Sequence, residues 1–274
     1  MRRITIITGA SSGLGAEFAR QIHKGNDARK PEERISELWL IARGKERLEG
    51  VRDELEVVKT ARPIKIKLLP MNLAGKEGVL LFKTMLGTEK ISGPFEIDTL
   101  VNNAGFGTYG EFAETPLDRE LEMIDLNCAA LTGICGAALP YLVEGSSIIN
   151  VSSLAAFLPL GNFAVYAATK AYVLSFSVAL AAELEDKGIK VSALCPGSVS
   201  TDFANVASNG ARKEVLHGKD PAPVVRHCLE KTARGRKIIL WSLKWKLTAL
   251  SSRLIGRFLG ARYTFRRRKL PYKR

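Results

Sequence analysis

Two residues four positions apart, Tyr166 and Lys170, could do proton chemistry together. They lie in the stretch VYAATKAYV (165–173), whose small and apolar side chains predict a half-buried helix. Residues at i and i+4 share a helical face, so the phenol and the ammonium can point into one cavity. A free phenol with a pKa of about 10 is a poor base at neutral pH, and a nearby cation stabilises its phenolate. The pair is therefore a candidate acid/base, although a packed tyrosine beside a lysine that extends to solvent would give the same spacing.

The segment TGASSGLG (8–15) predicts a phosphate-binding turn. It follows a β-branched run and precedes a helical pattern, and its glycines let the backbone turn tightly and approach a pyrophosphate at the helix N-terminus. The alternative is an ordinary turn in which serines cap the helix. Three glycines in this context favour dinucleotide binding. The residues concerned are Gly9, Ser11, Ser12, Gly13 and Gly15.

Short apolar runs alternate with helical patterns along the chain and predict the elements that position these residues. Strands are predicted over 4–8, 38–42, 64–72, 97–105, 146–153 and 189–197, with helices that include 76–87, 116–142 and 165–187. Six repeats of strand and helix predict an α/β fold with a parallel sheet covered on both faces. Right-handed crossovers then favour the doubly wound arrangement. A seventh strand is predicted over 238–243, and the polar segment 24–37 is interpreted as a surface insertion without a function.

The composition indicates one large domain in a reducing compartment. The chain has 274 residues, 46% of them hydrophobic, and no uninterrupted apolar run of the roughly 18 residues that a membrane-spanning helix needs. The apolar run near the N-terminus is too short for a signal peptide, so we expect a cytoplasmic protein. The cysteines lack metal-ligand spacing and are expected to be buried thiols rather than ligands, so no metal is predicted. They are Cys128, Cys135, Cys195 and Cys228.

The net charge of +13 is concentrated in one part of the sequence. Residues 231–274 contain fifteen Lys or Arg and no Asp or Glu, which leaves the first 230 residues at −2. We therefore divide the chain into a single domain over 1–240 and a basic amphipathic C-terminal extension over 241–274.

A helix predicted over 242–260 gives the extension its amphipathic character. Basic residues border one apolar face, formed by Leu243, Leu247, Leu250, Leu254 and Phe258. Such a helix can lie in an anionic membrane interface, which predicts peripheral membrane contact. The alternatives are a helix that packs this stripe on its own domain or on a second subunit. Nucleic-acid binding fits the charge, but no recognition motif accompanies it.

The motifs, taken in order, resemble those of the single-domain short-chain dehydrogenase/reductase family. The glycine turn has the family's Gly-x3-Gly-x-Gly spacing, and it is followed by NNAG (102–105), Asn127, Ser153, YAATK (166–170) and PG (196–197). The match runs from residue 4 to about residue 203. The resemblance implies a Rossmann fold and an oxidoreductase that interconverts carbonyl and alcohol groups with a nicotinamide cofactor.

The resemblance also implies a catalytic role for each of four residues. Tyr166 would be the acid/base, Lys170 would stabilise the phenolate and hold the nicotinamide ribose, and Ser153 would orient the substrate oxygen. Ser153 lies 13 residues before Tyr166, which is the family's interval, whereas Ser152 is the rival candidate. Asn127 would join a water-mediated proton relay toward the lysine.

The end of the second predicted strand indicates the cofactor. NAD-binding members usually place an acid there, but this chain has Ala42, followed by Arg43 and Lys45. A guanidinium suits a 2′-phosphate, so NADP(H) is preferred over NAD(H), while a solvated basic loop would explain only Arg43. Asn72 replaces the family's usual Asp and could still accept a hydrogen bond from the adenine amino group. The implied cofactor contacts are Gly9, Ser11, Ser12, Gly13, Leu14, Gly15, Arg43, Asn72, Leu73, Asn103, Ala104, Gly105, Tyr166, Lys170, Pro196, Gly197, Val199 and Thr201.

Substrate and partners are predicted from the C-terminal part of the chain. Residues 203–220 are expected to form a flap over the substrate. Relatives with similar basic ends act on apolar ketones and alcohols, which implies an apolar substrate, steroid-like or acyl. The extension differs from the short glycine-rich ending of tetrameric members, so we expect a homo-oligomer that is a dimer. The alternative function is a membrane-recruited nucleotide-binding regulator with little catalysis, against which the complete set of catalytic residues argues.

Overall fold

Seven parallel strands form one sheet in the order β3-β2-β1-β4-β5-β6-β7. The protein is described by a computed structural model that covers residues 1–215, 217–267 and 270–273. Leu216 of the predicted flap and Arg268, Lys269 and Arg274 of the extension lie outside the described residues. The strands are β1 (Arg2–Thr8), β2 (Glu37–Ala42), β3 (Lys65–Pro70), β4 (Phe95–Asn102), β5 (Leu142–Val151), β6 (Lys190–Leu194) and β7 (Ile238–Ile239).

Helices cover both faces of this sheet. They are α1 (Gly13–Gly25), α2 (Lys45–Val57), α3 (Gly75–Ile91), α4 (Leu117–Ile124), α5 (Leu131–Ala138), α6 (Ala164–Glu183), α7 (Phe203–Ala207), α8 (Pro221–Ala233), α9 (Leu243–Ser251) and α10 (Arg257–Arg267). A π-helical turn, Asp125–Ala130, joins α4 to α5. The predicted doubly wound α/β fold is confirmed.

Side-chain alternation along the central strands builds two apolar layers. Trp39 and Ile41 of β2 pack into the layer on one face of the sheet, whereas Leu38 and Leu40 pack into the layer on the other. All four side chains are fully buried. A strand whose two faces are both covered needs apolar residues at every position, which is why LWLIA reads as a continuous run.

Four predicted strands, β3, β4, β6 and β7, have fewer residues in the structure. β4 ends at Asn102, because the backbone N–H groups of Asn103 and Ala104 donate to the Thr8 hydroxyl, each at 3.0 Å, instead of continuing the ladder. β7 has only two residues, which pair with the last residues of the short strand β6.

The predicted insertion, 24–37, folds against the amino ends of the strands. Asn26 is buried and pairs with the backbone of Ile35 in both directions, at 2.9 and 3.1 Å. Arg29 forms an ion pair with Asp98 of β4 at 3.0 Å. Ligands of parallel sheets bind at the carboxyl ends, so this segment lies on the side away from the candidate site.

Two helical segments have the length and mean hydropathy, 1.4 each, of a membrane-spanning helix, although the sequence contains no long uninterrupted apolar run. They are Leu117–Tyr141 and Ala164–Glu183. Both bury residues such as Ile134 and Val173 in the layer that covers the sheet. Their apolar composition is therefore explained by packing within this fold.

The prediction of one helix over 242–260 is wrong. The structure has two shorter helices, α9 and α10, separated by residues 252–256. The hydroxyls of Ser251 and Ser252 donate to the carbonyls of Thr248 and Ala249, at 3.0 and 2.7 Å, and such local bonds compete with helix continuation. Gly256 follows and lowers helix propensity further.

The apolar stripe of the extension does not pack on its own domain, so that interpretation is also wrong. Its side chains are 71, 56, 57, 86 and 74% exposed at Leu243, Leu247, Leu250, Leu254 and Phe258. The helices contact the domain through a different face, on which Trp245, Ala249, Gly260 and Thr264 are buried. The boundary between domain and extension stays a prediction.

Candidate active site

A cavity of about 1380 Å³ opens at the carboxyl ends of the strands. Residues one or two positions after β1, β4 and β6, namely Gly9, Asn103 and Pro196, all line it. Of the residues predicted to act in catalysis or to bind the cofactor, all line this cavity except Gly15 and Asn127. The fold thus brings together side chains that are up to about 190 positions apart in the sequence, because parallel strands end at one edge.

The glycine turn has the geometry that a bound pyrophosphate needs. Gly9 and Gly13 have φ angles of +63° and +55°, which favour glycine. A Cβ atom at Gly15 would lie 2.1 Å from the carbonyl oxygen of Gly9, so Gly15 allows the helix to start close to the turn. Ser12 precedes α1 and makes no side-chain capping bond, so the capping role is not seen there. Gly13 and Leu14, the first residues of α1, line the cavity, and the free N–H groups of a helix N-terminus stabilise an anion.

Asn103 holds the glycine turn in place. Its side-chain amide donates to the carbonyl oxygens of Thr8 and Gly9, at 3.1 and 3.0 Å, and the Thr8 hydroxyl accepts from the Asn103 backbone at 3.0 Å. These bonds tie the end of β4 to the end of β1. They give Asn103 a supporting role for the turn in addition to its place in the cavity wall.

Tyr166 is buried in an aromatic cluster on α6. Its ring stacks on Phe163 with centroids 4.1 Å apart and lies 5.4 Å from Phe203. Burial raises the pKa of Tyr166, while a hydrogen bond with Ser153 acts in the opposite direction. A neighbouring cation was expected to favour the phenolate. In the protein without a bound cofactor, burial instead raises the pKa of the phenol more than the Ser153 hydrogen bond lowers it. Tyr166 is therefore protonated at neutral pH, which is the form that donates a proton to a carbonyl.

Lys170 lies one helical turn after Tyr166 and is buried as well. Its Nζ donates to the carbonyl oxygen of Val151 at 2.8 Å and lies 5.7 Å from the centroid of the Tyr166 ring. Burial lowers the pKa of Lys170 to about 8. A buried amine with its charge close to a phenol is suited to stabilising a phenolate when the proton leaves.

The two candidate serines at the end of β5 have different partners. The Ser152 hydroxyl donates to the carbonyl oxygen of Lys170 at 2.8 Å, inside the domain. Ser153 accepts from the Ala155 N–H at 3.1 Å and donates to the Pro196 carbonyl at 3.4 Å, which is a long bond. The Ser153 hydroxyl also lowers the pKa of Tyr166, so the two hydroxyls are close to each other. That Ser153 rather than Ser152 orients the substrate oxygen stays a prediction.

Asn127 lies behind the cavity wall, in the π-helical turn between α4 and α5. Its amide donates to the Phe106 carbonyl at 2.9 Å and to the Thr169 hydroxyl at 3.1 Å, and its Oδ1 accepts from the Phe106 N–H at 3.1 Å. A Cβ atom at Gly105 would lie 2.7 Å from this oxygen and 3.5 Å from Lys170 Nζ. Asn127 and Lys170 thus both border Gly105, whereas the relay role of Asn127 stays a prediction.

The end of β2 supplies two guanidinium groups rather than one. Arg43 and Arg47 both line the cavity beside Ala42. Arg43 forms a long, exposed ion pair with Glu122 at 3.6 Å, whereas Lys45 pairs with Glu49 and does not line the cavity. Arg47 was not predicted; its position in the first turn of α2, four residues after Arg43, was a usable signal.

Asn72, which is expected to contact the adenine, already accepts one hydrogen bond within the protein. Asn72 accepts a hydrogen bond from the Ala74 N–H at 3.2 Å through Oδ1, the atom expected to bind the adenine amino group. The oxygen keeps a second lone pair for that contact. Beside it, the buried Leu73 lines the cavity.

A family model for short-chain dehydrogenases matches residues 3–211, the part of the chain that contains the glycine turn, Ser153, Tyr166 and Lys170. The chain belongs to the short-chain dehydrogenase/reductase family. The predicted resemblance is confirmed, and with it an oxidoreductase family whose members use nicotinamide cofactors. The glycine turn, and Lys170 beside Tyr166, fit such a cofactor.

Similar proteins agree with this assignment. An uncharacterized oxidoreductase of Staphylococcus aureus (strain MW2) is 30% identical over 230 residues, which are 83% of this chain and 90% of that protein. A short-chain dehydrogenase from Sphingobium yanoikuyae, solved with NADPH, is 25% identical with a TM-score of 0.73, covering 93% of this chain and 94% of that one. A bulky-bulky ketone specific alcohol dehydrogenase from Comamonas testosteroni is 26% identical with a TM-score of 0.67 and 92% of each chain covered.

The C-terminal extension completes the cavity of this dehydrogenase, which the sequence analysis did not foresee. Trp245 of α9 packs on Gly197, where a Cβ atom would lie 2.4 Å from the indole Nε1. Other cavity-lining residues from this segment include Ile255, Leu259, Tyr263 and Leu270. Because these contacts are long-range, the amphipathic pattern alone carried no sign of them.

Hydrogen bonds fasten the extension on two sides of the cavity. Thr264 Oγ1 accepts from the Gly161 N–H, and Asn162 Nδ2 donates to the Phe265 carbonyl, each at 3.0 Å, next to the start of α6. The Lys273 N–H donates to the Ser208 carbonyl at 2.9 Å in the predicted flap. The extension thus connects the segment that precedes the catalytic helix to the segment that follows β6.

Gly161→Ala tests this connection. A Cβ atom at Gly161 would lie 2.4 Å from the Phe265 Cβ, so α10 must move away from the cavity. Overpacking of this kind costs about 1–3 kcal/mol, and we expect a corresponding fall in the free energy of unfolding and a higher KM for the carbonyl substrate. The affinity for NADPH, measured by fluorescence titration, should not change. Gly136→Ala is the control, because no atom lies within 4 Å of a Cβ there; equal effects of both changes would contradict the connection.

Proposed function

We propose that this protein is an NADP(H)-dependent oxidoreductase that interconverts a ketone or aldehyde and a secondary or primary alcohol on an apolar substrate. One observation carries the proposal. The cavity that contains Tyr166, Lys170 and Ser153 has the glycine turn on one side and an apolar chamber on the other. An acid, a cation and an orienting hydroxyl in one cavity suit a reductase, whereas a nucleotide-binding regulator needs none of them.

The residues have separable roles in carbonyl reduction. When bound, the nicotinamide supplies the hydride. The Ser153 hydroxyl orients the carbonyl, and Tyr166 donates its proton to the oxygen on which negative charge develops. The Lys170 ammonium stabilises the resulting phenolate until a proton returns, and Asn127 would support that return. Alcohol oxidation uses the same groups in reverse.

The lining of the chamber supports an apolar substrate. Its walls combine aromatic side chains from the domain, Phe106, Tyr109, Phe163 and Phe203, with aliphatic side chains of the extension. A pocket of this kind binds through apolar area and uses few polar groups for orientation. The Comamonas relative, named for bulky-bulky ketones, also supports a large substrate, steroid-like or acyl.

The function is tested by following NADPH oxidation with the purified protein. Ketones that carry large apolar groups on both sides of the carbonyl should be reduced with a higher kcat/KM than acetone. A preference for small polar ketones, or no turnover of any ketone or aldehyde in the series, would overturn the proposal.

Three features support a preference for NADP(H). The end of β2 has no acid, Arg43 and Arg47 both line the cavity there, and the Sphingobium relative was solved with NADPH. A carboxylate would repel the 2′-phosphate of NADPH, whereas guanidinium groups bind it through charge-assisted hydrogen bonds.

Removing both guanidinium groups tests the cofactor preference. The double variant Arg43→Ala/Arg47→Ala should raise the KM for NADPH by about 100-fold or more, since each such bond contributes about 1.5 kcal/mol or more, and should leave the KM for NADH unchanged. Steady-state kinetics with both cofactors measure the effect. Lys45→Ala is the control, because its amine does not line the cavity. An equal rise in the KM for NADH would show that the arginines do not recognise the 2′-phosphate.

We also infer a homodimer in the cytoplasm. Exposed apolar side chains on α4 and α6, among them Leu117, Leu121 and Tyr172, support a second copy on that side of the domain. The four cysteines are free thiols, as expected in a reducing compartment. Analytical ultracentrifugation of the purified protein measures the oligomeric state.

A further inference from the structure

The extension exposes large apolar side chains along α9, the break after it and the start of α10. We call it the extension surface and define it by Leu243, Leu247, Leu250, Leu254 and Phe258, all of them more than half exposed. Soluble domains rarely expose several large apolar side chains side by side, and such patches usually mark an interaction site.

Cations surround the extension surface and have no carboxylate partners. The neighbouring side chains of Lys246, Arg253, Arg257 and Arg262 are exposed. No salt bridge to these four is present within the described part of the chain, and residues 231–274 contain no Asp or Glu. The surface therefore combines apolar area with a positive charge that its own domain does not neutralise.

We propose that the extension surface docks on the surface of a lipid bilayer that contains anionic lipids. Leucine and phenylalanine side chains enter the boundary between headgroups and acyl chains, while lysine and arginine bind the anionic headgroups. A second copy fits less well, because a two-fold contact would bring identical cations together without any acid to pair with them. The bilayer complements both the apolar area and the charge.

The mouth of the cavity lies beside this surface. Ile255, Leu259 and Tyr263 line the cavity and are also exposed, so they form part of its rim. Ile255 and Leu259 adjoin Leu254 and Phe258 of the extension surface in the sequence. In the docked protein, an apolar compound dissolved in the lipid reaches the cavity without crossing water. This consequence rests on the proposed function, whereas the docking does not.

Sedimentation with lipid vesicles tests the docking on the full chain. We expect binding to vesicles of phosphatidylcholine mixed with phosphatidylglycerol, and little binding to phosphatidylcholine alone. The double variant Leu254→Ser/Phe258→Ser should lower the partition coefficient roughly tenfold or more, and Arg253→Gln/Arg257→Gln should have a similar effect. The matched controls are Val57→Ser/Ile91→Ser and Lys76→Gln/Lys83→Gln, which change exposed residues elsewhere and should bind as the wild type does.

Two further measurements locate the contact. Hydrogen exchange should slow in 252–267 when anionic vesicles are added, and should not slow in α4. Wild-type protein that ignores anionic vesicles, or surface variants that bind as well as the wild type, would overturn the proposal. If the wild type does not bind vesicles and is a dimer, and if the Leu254→Ser/Phe258→Ser variant is a monomer, the extension surface contacts a second copy instead. Sedimentation does not require turnover, so these outcomes are independent of whether the protein reduces ketones.

Discussion

Replacing Tyr166 with phenylalanine should lower kcat about 100- to 10,000-fold and leave the affinity for NADPH unchanged. The substitution removes only the hydroxyl, so the ring keeps its stacking on Phe163, 4.1 Å away, and the fold is preserved. The remaining rate would come from hydride transfer without an acid beside the carbonyl oxygen. Single-turnover kinetics with NADPH, together with a fluorescence titration of the cofactor, separate the chemical step from binding.

The same helix offers a matched control for this substitution. Tyr172 is exposed, and its hydroxyl is 2.8 Å from that of Thr132 on α5. Tyr172→Phe therefore removes a phenolic hydroxyl from α6 outside the cavity and should leave kcat unchanged. If Tyr166→Phe and Tyr172→Phe both kept most of the wild-type turnover, Tyr166 would not be the proton donor.

Replacing Lys170 with methionine should abolish turnover and at the same time stabilise the cofactor-free protein. The ammonium is buried and donates a hydrogen bond to the Val151 carbonyl, and burial lowers its pKa from 10.5 to about 8. At pH 7 the native protein therefore holds a charge in an unfavourable environment. Methionine has a similar length and no charge, and we expect an increase of about 1–3 kcal/mol in the free energy of unfolding. The loss of the cation should lower kcat by at least about 100-fold.

The stabilisation by Lys170→Met depends on pH in a defined direction. Between about 8 and 10.5 the unfolded wild-type chain binds more protons at residue 170 than the folded one, so wild-type stability rises with pH in this window. The advantage of Lys170→Met should therefore be largest below pH 8 and shrink toward pH 10.5. Urea unfolding at several pH values measures it, with the exposed Lys187→Met as the control. A variant that is less stable than the wild type at pH 7 would contradict the buried charge as the cause.

The local signals of the sequence were sufficient for the sheet and for much of the site. A strand covered on both faces must be apolar throughout, and a turn that approaches phosphate must contain glycine, so LWLIA and the Gly9 turn could be interpreted without a structure. Tyr166 and Lys170 were recognisable because the i, i+4 spacing is a property of the helix itself. The family's order of motifs then added the strand ends, where Ser153 lies.

The remainder depended on contacts between distant parts of the chain. The extension has a helical pattern over 242–260, but whether its leucines face the domain or the solvent is decided by Trp245, which packs on Gly197 instead. The break between α9 and α10 comes from side-chain bonds of Ser251 and Ser252, which hydrophobic periodicity does not register. The direction of the Tyr166 pKa shift likewise depends on burial by Phe163 and Phe203 rather than on the spacing to Lys170.

Hydrogen bonds join Thr264, Phe265 and Lys273 of the extension to residues at the rim of the cavity. The residues proposed for proton donation and nucleotide binding lie within the family match, 3–211, whereas one wall of the chamber comes from residues after it. Substitutions in that wall can therefore change which molecules are accepted while the reacting groups stay in place. Diversification of such an enzyme, in nature or in the laboratory, has a segment in which selectivity can be varied without rebuilding its chemistry.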